Sequence, residues 1–153
     1  MKRLLIVAHA PSPNTQRLVE ALLRGARHPD ITGIEVVHRP ALATTPDDIR
    51  GCDAILLCMT ENLASMSGGM KDFFDRCYYP VLEEKQGLPC AALIRAGHDG
   101  TGTRRQLDTI LTGLRWPWAQ EPLLLRGEWQ EAFVAQAEEL AMTVAAALDA
   151  GML

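Results

Sequence analysis

Leu4-Leu5-Ile6-Val7-Ala8, followed at once by His9-Ala10-Pro11-Ser12-Pro13-Asn14-Thr15, is the stretch whose reading decides the fold. Five consecutive apolar residues without polar alternation suit a strand buried on both faces, as in the middle of a parallel sheet. The seven residues after it hold two prolines and three small polar side chains, the composition of a loop. From Thr15 the period changes: Leu18, Val19, Leu22, Leu23 and Ala26 share one helical stripe, with Gln16, Arg17, Glu20 and Arg24 mostly opposite. Ser12 or Asn14 stands where a helix cap is needed.

The same alternation continues along the chain. Ile34–His38, Ala54–Cys58 and Cys90–Ile94 read as strands two, three and four, and Trp118–Leu125 as a fifth. Pro122 inside the fifth confines it to an edge. Thr45-Pro46-Asp47-Asp48 opens a short helix, with Thr45 as cap and Pro46 at the first helical position. Met70, Phe73, Phe74 and Cys77 recur at helical spacing until Pro80. Leu107, Ile110, Leu111 and Leu114 mark a further helix, and residues 128–149 the last. Strands alternating with helices predict one α/β domain over residues 1–153: a three-layer, doubly wound sandwich with a five-stranded parallel sheet. Ligands of such sheets bind beyond the carboxyl ends of the strands. Three loops lie there, 9–15, 59–69 and 97–103, and the chain's small polar residues concentrate in them.

Composition excludes several classes. With 153 residues, 48% hydrophobic and 22% charged, the chain is of ordinary globular make-up, not disordered. A net charge of −4 and scattered arginines argue against nucleic acid as a partner. The longest apolar runs fall far short of the roughly 20 residues that span a bilayer, so no membrane span is expected. The first strand starts almost at Met1, and a cytoplasmic location is the expectation. Cys52, Cys58, Cys77 and Cys90 form no CxxC pair and read as small buried hydrophobes.

The segment His9–Ala26 (HAPSPNTQRLVEALLRGA) resembles the phosphate-binding loop and helix of flavodoxins and NAD(P)H-dependent FMN reductases. Glu61–Pro80 (ENLASMSGGMKDFFDRCYYP) resembles the isoalloxazine loop and following helix of that superfamily, with a Met-Ser-Gly-x-x-Lys-Asp-Phe-x-Asp-Arg core. The resemblance implies the flavodoxin-like strand order 2-1-3-4-5 and FMN as cofactor. Ser12, Asn14 and Thr15 match positions that donate to the phosphate, where a helix N-terminus already favours an anion. Glu61, Asn62 and Leu63 match the ring loop, and Ser67 and Gly68 the helix entry behind it. Gly97, His98 and Gly100 would approach the other side of the ring; His9, after strand one, has an open role. Met66, Met70, Phe73 and Phe74 read as core or dimer contact.

The leading expectation is an oxidoreductase that takes hydride from NAD(P)H through FMN and passes electrons to a quinone-like or other small acceptor. No general acid or base is assigned, since the flavin carries such chemistry. A homodimer is the assembly that the resemblance suggests. Two alternatives stay open: a flavodoxin-type electron carrier, and a binding module without FMN. The second rests on Ala10, Pro13 and Leu63, where relatives commonly carry a hydroxyl residue, a glycine and an aromatic.

Overall fold

The computed structural model describes residues 1–153. Its elements are β1 (Lys2–Ala8), α1 (Pro13–Ala26), β2 (Ile34–Pro40), a 3-10 turn (Ala41–Ala43), α2 (Pro46–Arg50), β3 (Ala54–Asn62) and β4 (Ser65–Met66). They continue with α3 (Gly68–Val81), β5 (Cys90–Ala96), α4 (Thr101–Leu114), β6 (Leu123–Arg126) and α5 (Ala132–Asp149).

The five longer strands are all parallel, in the order β2-β1-β3-β5-β6, which is the predicted flavodoxin-like arrangement. The sheet gains a sixth member, the two-residue β4, paired antiparallel with the end of β3. Residues 59–62, expected in a loop, thus belong to a strand. The fifth predicted strand is shorter than expected: regular pairing starts only at Leu123, and Trp118 makes a lone bridge to Cys90. Pro122 precedes the strand, which lies at the sheet edge as its proline required. The last helix begins at Ala132, not Glu128.

β1 is buried from Leu4 to Ala8, and its side chains alternate between two cores. Leu5 and Val7 join Ile55, Leu57, Phe73 and Leu107 under α2, α3 and α4. Leu4, Ile6 and Ala8 join Leu18, Leu22, Leu56, Leu93 and Val144 under α1 and α5. Met66, Met70, Phe73 and Phe74 all belong to the first core, so of the two readings of these residues the core one holds. The four cysteines are all free and buried. Burial pushes the Cys52 thiol up to about 11 and the Cys58 thiol up to about 12, and raises Cys77 and Cys90 as well. No helix is long and apolar enough to cross a membrane.

Helices α1 and α5 meet closely at Gly25, where an added Cβ would overlap the carbonyl oxygen of Glu138. An ordinary Gly→Ala change within a helix gains about 1 kcal/mol. At this backbone-to-backbone contact the sign reverses, because neither carbonyl nor helix can yield locally. Gly25→Ala should lower the unfolding free energy by about 1–3 kcal/mol, the usual cost of overpacking, as read from urea denaturation.

Candidate functional site

All parallel strands end at one edge of the sheet, and the three loops of interest lie there. The loop after β1 turns into α1 through a capping box. The Ser12 hydroxyl accepts from the Thr15 N–H (3.2 Å), and the Ser12 N–H donates to the Thr15 hydroxyl oxygen (3.0 Å). The Thr15 hydroxyl donates in turn to the Ser12 carbonyl (3.0 Å) and is buried. Ser12, not Asn14, is therefore the cap, and Pro13 occupies N1, where its missing N–H costs nothing. The N–H groups of Ala10 and Asn14 have no partner within the chain.

His9 joins this loop to the start of α3. Its backbone N–H donates to the Cys58 carbonyl (2.9 Å), and its Nδ1 lies 3.0 Å from the hydroxyl of the fully buried Ser67. The ring rests on Gly69, where any Cβ would overlap it. Ser67 caps α3 through its carbonyl, which accepts from Met70 and Lys71. Lys71 pairs with Asp75, and Asp72 with Arg76, both at 2.7 Å on the helix surface.

The loop expected at 59–69 is a tight hairpin. Asn62 pairs with Ser65, and the turn between them holds Leu63 (φ 54°) and Ala64 (φ 64°). Two-residue turns with both centres at positive φ favour Asn-Gly, since glycine lacks a Cβ and the short polar side chain of asparagine tolerates the left-handed region. Leu63 and Ala64 have no such licence, and Leu63 is fully exposed. Non-glycine residues held in such conformations concentrate at functional sites.

Opposite the hairpin, Gly97-His98-Asp99-Gly100 leads into α4. Gly100 is the cap residue at φ 75°, a conformation that calls for glycine. Between the two walls lies a cavity of about 830 Å³, within the about 300–1,000 Å³ typical of small-molecule sites. Glu61, Leu63, Ala64, Gly97, His98, Asp99, Thr101, Gly102 and Arg105 form its walls. The backbone N–H groups of Leu63, Ala64, Gly97, His98, Asp99 and Gly102 find no partner in the chain, and all six residues line this cavity. Asp99 is engaged by the N–H and hydroxyl of Thr101, which hold its carboxyl below the usual carboxylate range.

Of the predicted residues, Glu61, Leu63, Gly97 and His98 meet at this cavity. Asn62 is used in the hairpin pairing, and Gly100 is buried and does not line the cavity. His9, Ser12, Asn14, Thr15, Ser67 and Gly68 lie outside it, on the side of the loop after β1. Ala64, Asp99, Thr101, Gly102 and Arg105 also line the cavity and were not among the candidate residues, although all but Arg105 lie in the loops expected there. Arg105 had a weak signal, one turn beyond the glycine-rich loop; Ala64 had none beyond its place in the loop, because its strained turn violates the composition that marks hairpins. Trp116 is core and Trp118 donates to Asp108 (2.9 Å), so neither extends the cavity.

Residues 23–131 match the model of the NADPH-dependent FMN reductase family. The chain belongs to that family. The matched region includes the hairpin, the cavity and α4, but begins after the loop that follows β1. A flavodoxin from Aquifex aeolicus is 27% identical over 114 residues, covering 74% of this chain; the chain spans 60% of that relative's length. Among solved structures, an archaeal flavodoxin superposes with a TM-score of 0.76 at 17% identity, covering 94% of this chain and 96% of its own. A flavodoxin, WrbA-like protein from Agrobacterium tumefaciens superposes at 0.77 and 15% identity, covering 99% of both chains. These two establish the flavodoxin-like fold.

The strain at the hairpin can be measured. The left-handed conformation costs a non-glycine residue about 1–2 kcal/mol, and glycine adds about 0.4–1 kcal/mol of unfolded-chain entropy. Ala64→Gly should therefore raise the unfolding free energy by about 0.5–1 kcal/mol. A loss of stability in urea denaturation would show the turn to be unstrained.

Proposed function

We propose that this chain binds FMN at the carboxyl edge of its sheet and acts as an NAD(P)H-dependent oxidoreductase, reducing a quinone-like or other small acceptor. One observation carries the reading. A cavity of small-molecule size is walled by the hairpin and the 97–102 segment, and its free donors are neutral backbone N–H groups. Such donors suit the polar edge of a planar, uncharged ring system. Family membership supports the same reading.

When bound, FMN supplies the hydride and electron-transfer chemistry, while the protein supplies position and electrostatics. Within the chain, Leu63, Ala64, Gly97, His98 and Asp99 present N–H groups to the ring, and the exposed Leu63 side chain offers an apolar cover. The N-terminus of α1 takes the phosphate, with the N–H groups of Ala10 and Asn14 as donors and the helix dipole behind them; the Ser12 hydroxyl, 2.9 Å from the Thr15 hydroxyl, joins them by turning its proton from Thr15 to the anion. Thr15 serves this site indirectly, by fixing the Ser12 hydroxyl. His9 holds this loop against the entry of α3 through Ser67. Arg105, on the cavity wall, is the cation available to an anionic co-substrate.

The flavodoxin relative supports a second reading, an electron carrier without reductase activity of its own. A steady-state assay separates the two, since a carrier leaves NAD(P)H unoxidised unless a separate reductase is added.

The test is a titration of the cofactor-free protein into FMN and, in parallel, riboflavin, followed by flavin fluorescence. Quenching of FMN at much lower protein concentration than riboflavin is the expected result. Ser12→Ala should weaken FMN binding by about 1–3 kcal/mol, the cost of removing a donor to a charged group, and leave riboflavin unchanged. Equal quenching curves for FMN and riboflavin would remove the phosphate site from the reading, and no quenching of either would remove the flavin.

A further inference from the structure

We infer that Glu61 is a positioning residue whose carboxylate latches the hairpin wall of the cavity onto the first turn of α4, making the two walls one rigid unit. A helix start leaves its first N–H groups without intrahelical partners. In α4 three of the first four, those of Gly100, Thr101 and Thr103, are met, and from two directions. Asp99 takes the N–H of Thr101 (2.9 Å) locally. Glu61, which lies 39 and 42 residues earlier in the chain, takes Gly100 through Oε1 (3.2 Å) and Thr103 through Oε2 (2.9 Å). Gly100, as cap residue, has no side chain with which to do this itself.

Two further ties follow the same line. The hairpin carbonyl of Ala64 sits against Gly102 so closely that a Cβ there would overlap it. One turn on, Gln106 accepts from the Met66 N–H (2.7 Å) and donates to the Ser65 hydroxyl (2.8 Å). Residues on both sides of the strained Leu63-Ala64 turn are thereby fastened to α4. Strained backbone persists only where its surroundings over-determine it, and these ties are what over-determine this turn.

A carboxylate is the group this geometry requires. It accepts from two N–H donors at once, whereas an amide would turn its NH2 toward one of them. It also places negative charge at the positive end of a helix. That charge stands on the cavity wall, among Asp99, His98 and Arg105, and so disfavours added electron density in a ring bound there.

The experiment has two arms, both using the full-length chain. In the cofactor-free protein, Glu61→Gln should speed amide hydrogen exchange at Gly100 and Thr103, and also at Ser65 in the hairpin, by tenfold or more. Amides of the core strand β1 should stay unchanged, which reports an intact fold. Faster exchange confined to α4 would make Glu61 a helix cap and no latch; unchanged exchange throughout would overturn the inference outright. The second arm rests on the FMN reading. With FMN bound, Glu61→Gln should favour the reduced over the oxidised cofactor by at least tenfold, a positive shift of about 30 mV for a two-electron couple. Glu61→Asp, which keeps the charge but shortens the reach, should loosen the hairpin while leaving the potential nearly in place. An unchanged potential in Glu61→Gln would remove the electrostatic role. Failure of the wild-type chain to bind FMN would count against the proposed function alone, because the exchange arm needs no cofactor.

Discussion

Burial of both faces of β1, β3 and β5 is the constraint from which the rest of the structure follows. A strand with apolar side chains on both sides must be covered twice, here by α1 and α5 on one face and by α2, α3 and α4 on the other. Covering a parallel sheet in this way sends each connection across a face and returns every strand in the same direction. The carboxyl ends then gather at one edge, and the backbone there has no ladder to join. Loops at that edge must satisfy their N–H groups by caps or leave them for a ligand. The site is in this sense the remainder of the hydrogen-bond accounting of the sheet.

That accounting closes differently in the two halves of the edge. After β1 the chain closes on itself: Ser12 and Thr15 satisfy one another within a single turn, and only Ala10 and Asn14 keep free N–H groups. Around the cavity the closure is long-range, from Glu61 and Gln106 across to residues about 40 positions away. A local cap is stable whenever its helix is. A long-range one also sets the distance between two elements, and here those elements are the walls of the cavity. Energy spent on the Leu63-Ala64 turn is therefore not an isolated defect, since the contacts that maintain it are those that shape the site.

The strands and helices were legible in the sequence because each rests on a run of apolar residues with a clear period. Capping at Ser12 and Thr45 was legible for a similar reason, being a pattern within four residues. What escaped were features without a local signal. β3 runs on after its apolar residues stop, Thr60 still pairing with Arg95 of β5, and Glu61 and Asn62 with β4. A reader of turns looks for Asn-Gly, and Leu63-Ala64 hides the hairpin. The fifth strand was overextended because Trp118 and its neighbours are apolar enough for a strand, while Pro122 and a lone bridge leave them irregular. The carboxylate of Glu61 could be placed near a ligand, but no spacing rule ties a strand residue to the cap of a helix some 40 residues on.

The cysteines bear on what kind of chemistry the edge can host. Redox or nucleophilic work by a thiol needs the thiolate, usually through a depressed pKa in a partly exposed, electropositive setting. All four thiols here are buried and shifted the other way, so they remain protonated and inert near neutral pH. None of them stands on the cavity wall, whose own side chains are Glu61, Leu63, Ala64, His98, Asp99, Thr101 and Arg105. No side chain in that set exchanges electrons readily. Electron transfer at this edge would therefore require a bound group, and under the proposed function the chain's part is to hold that group between the hairpin and the first turn of α4, the two walls that Glu61 ties together.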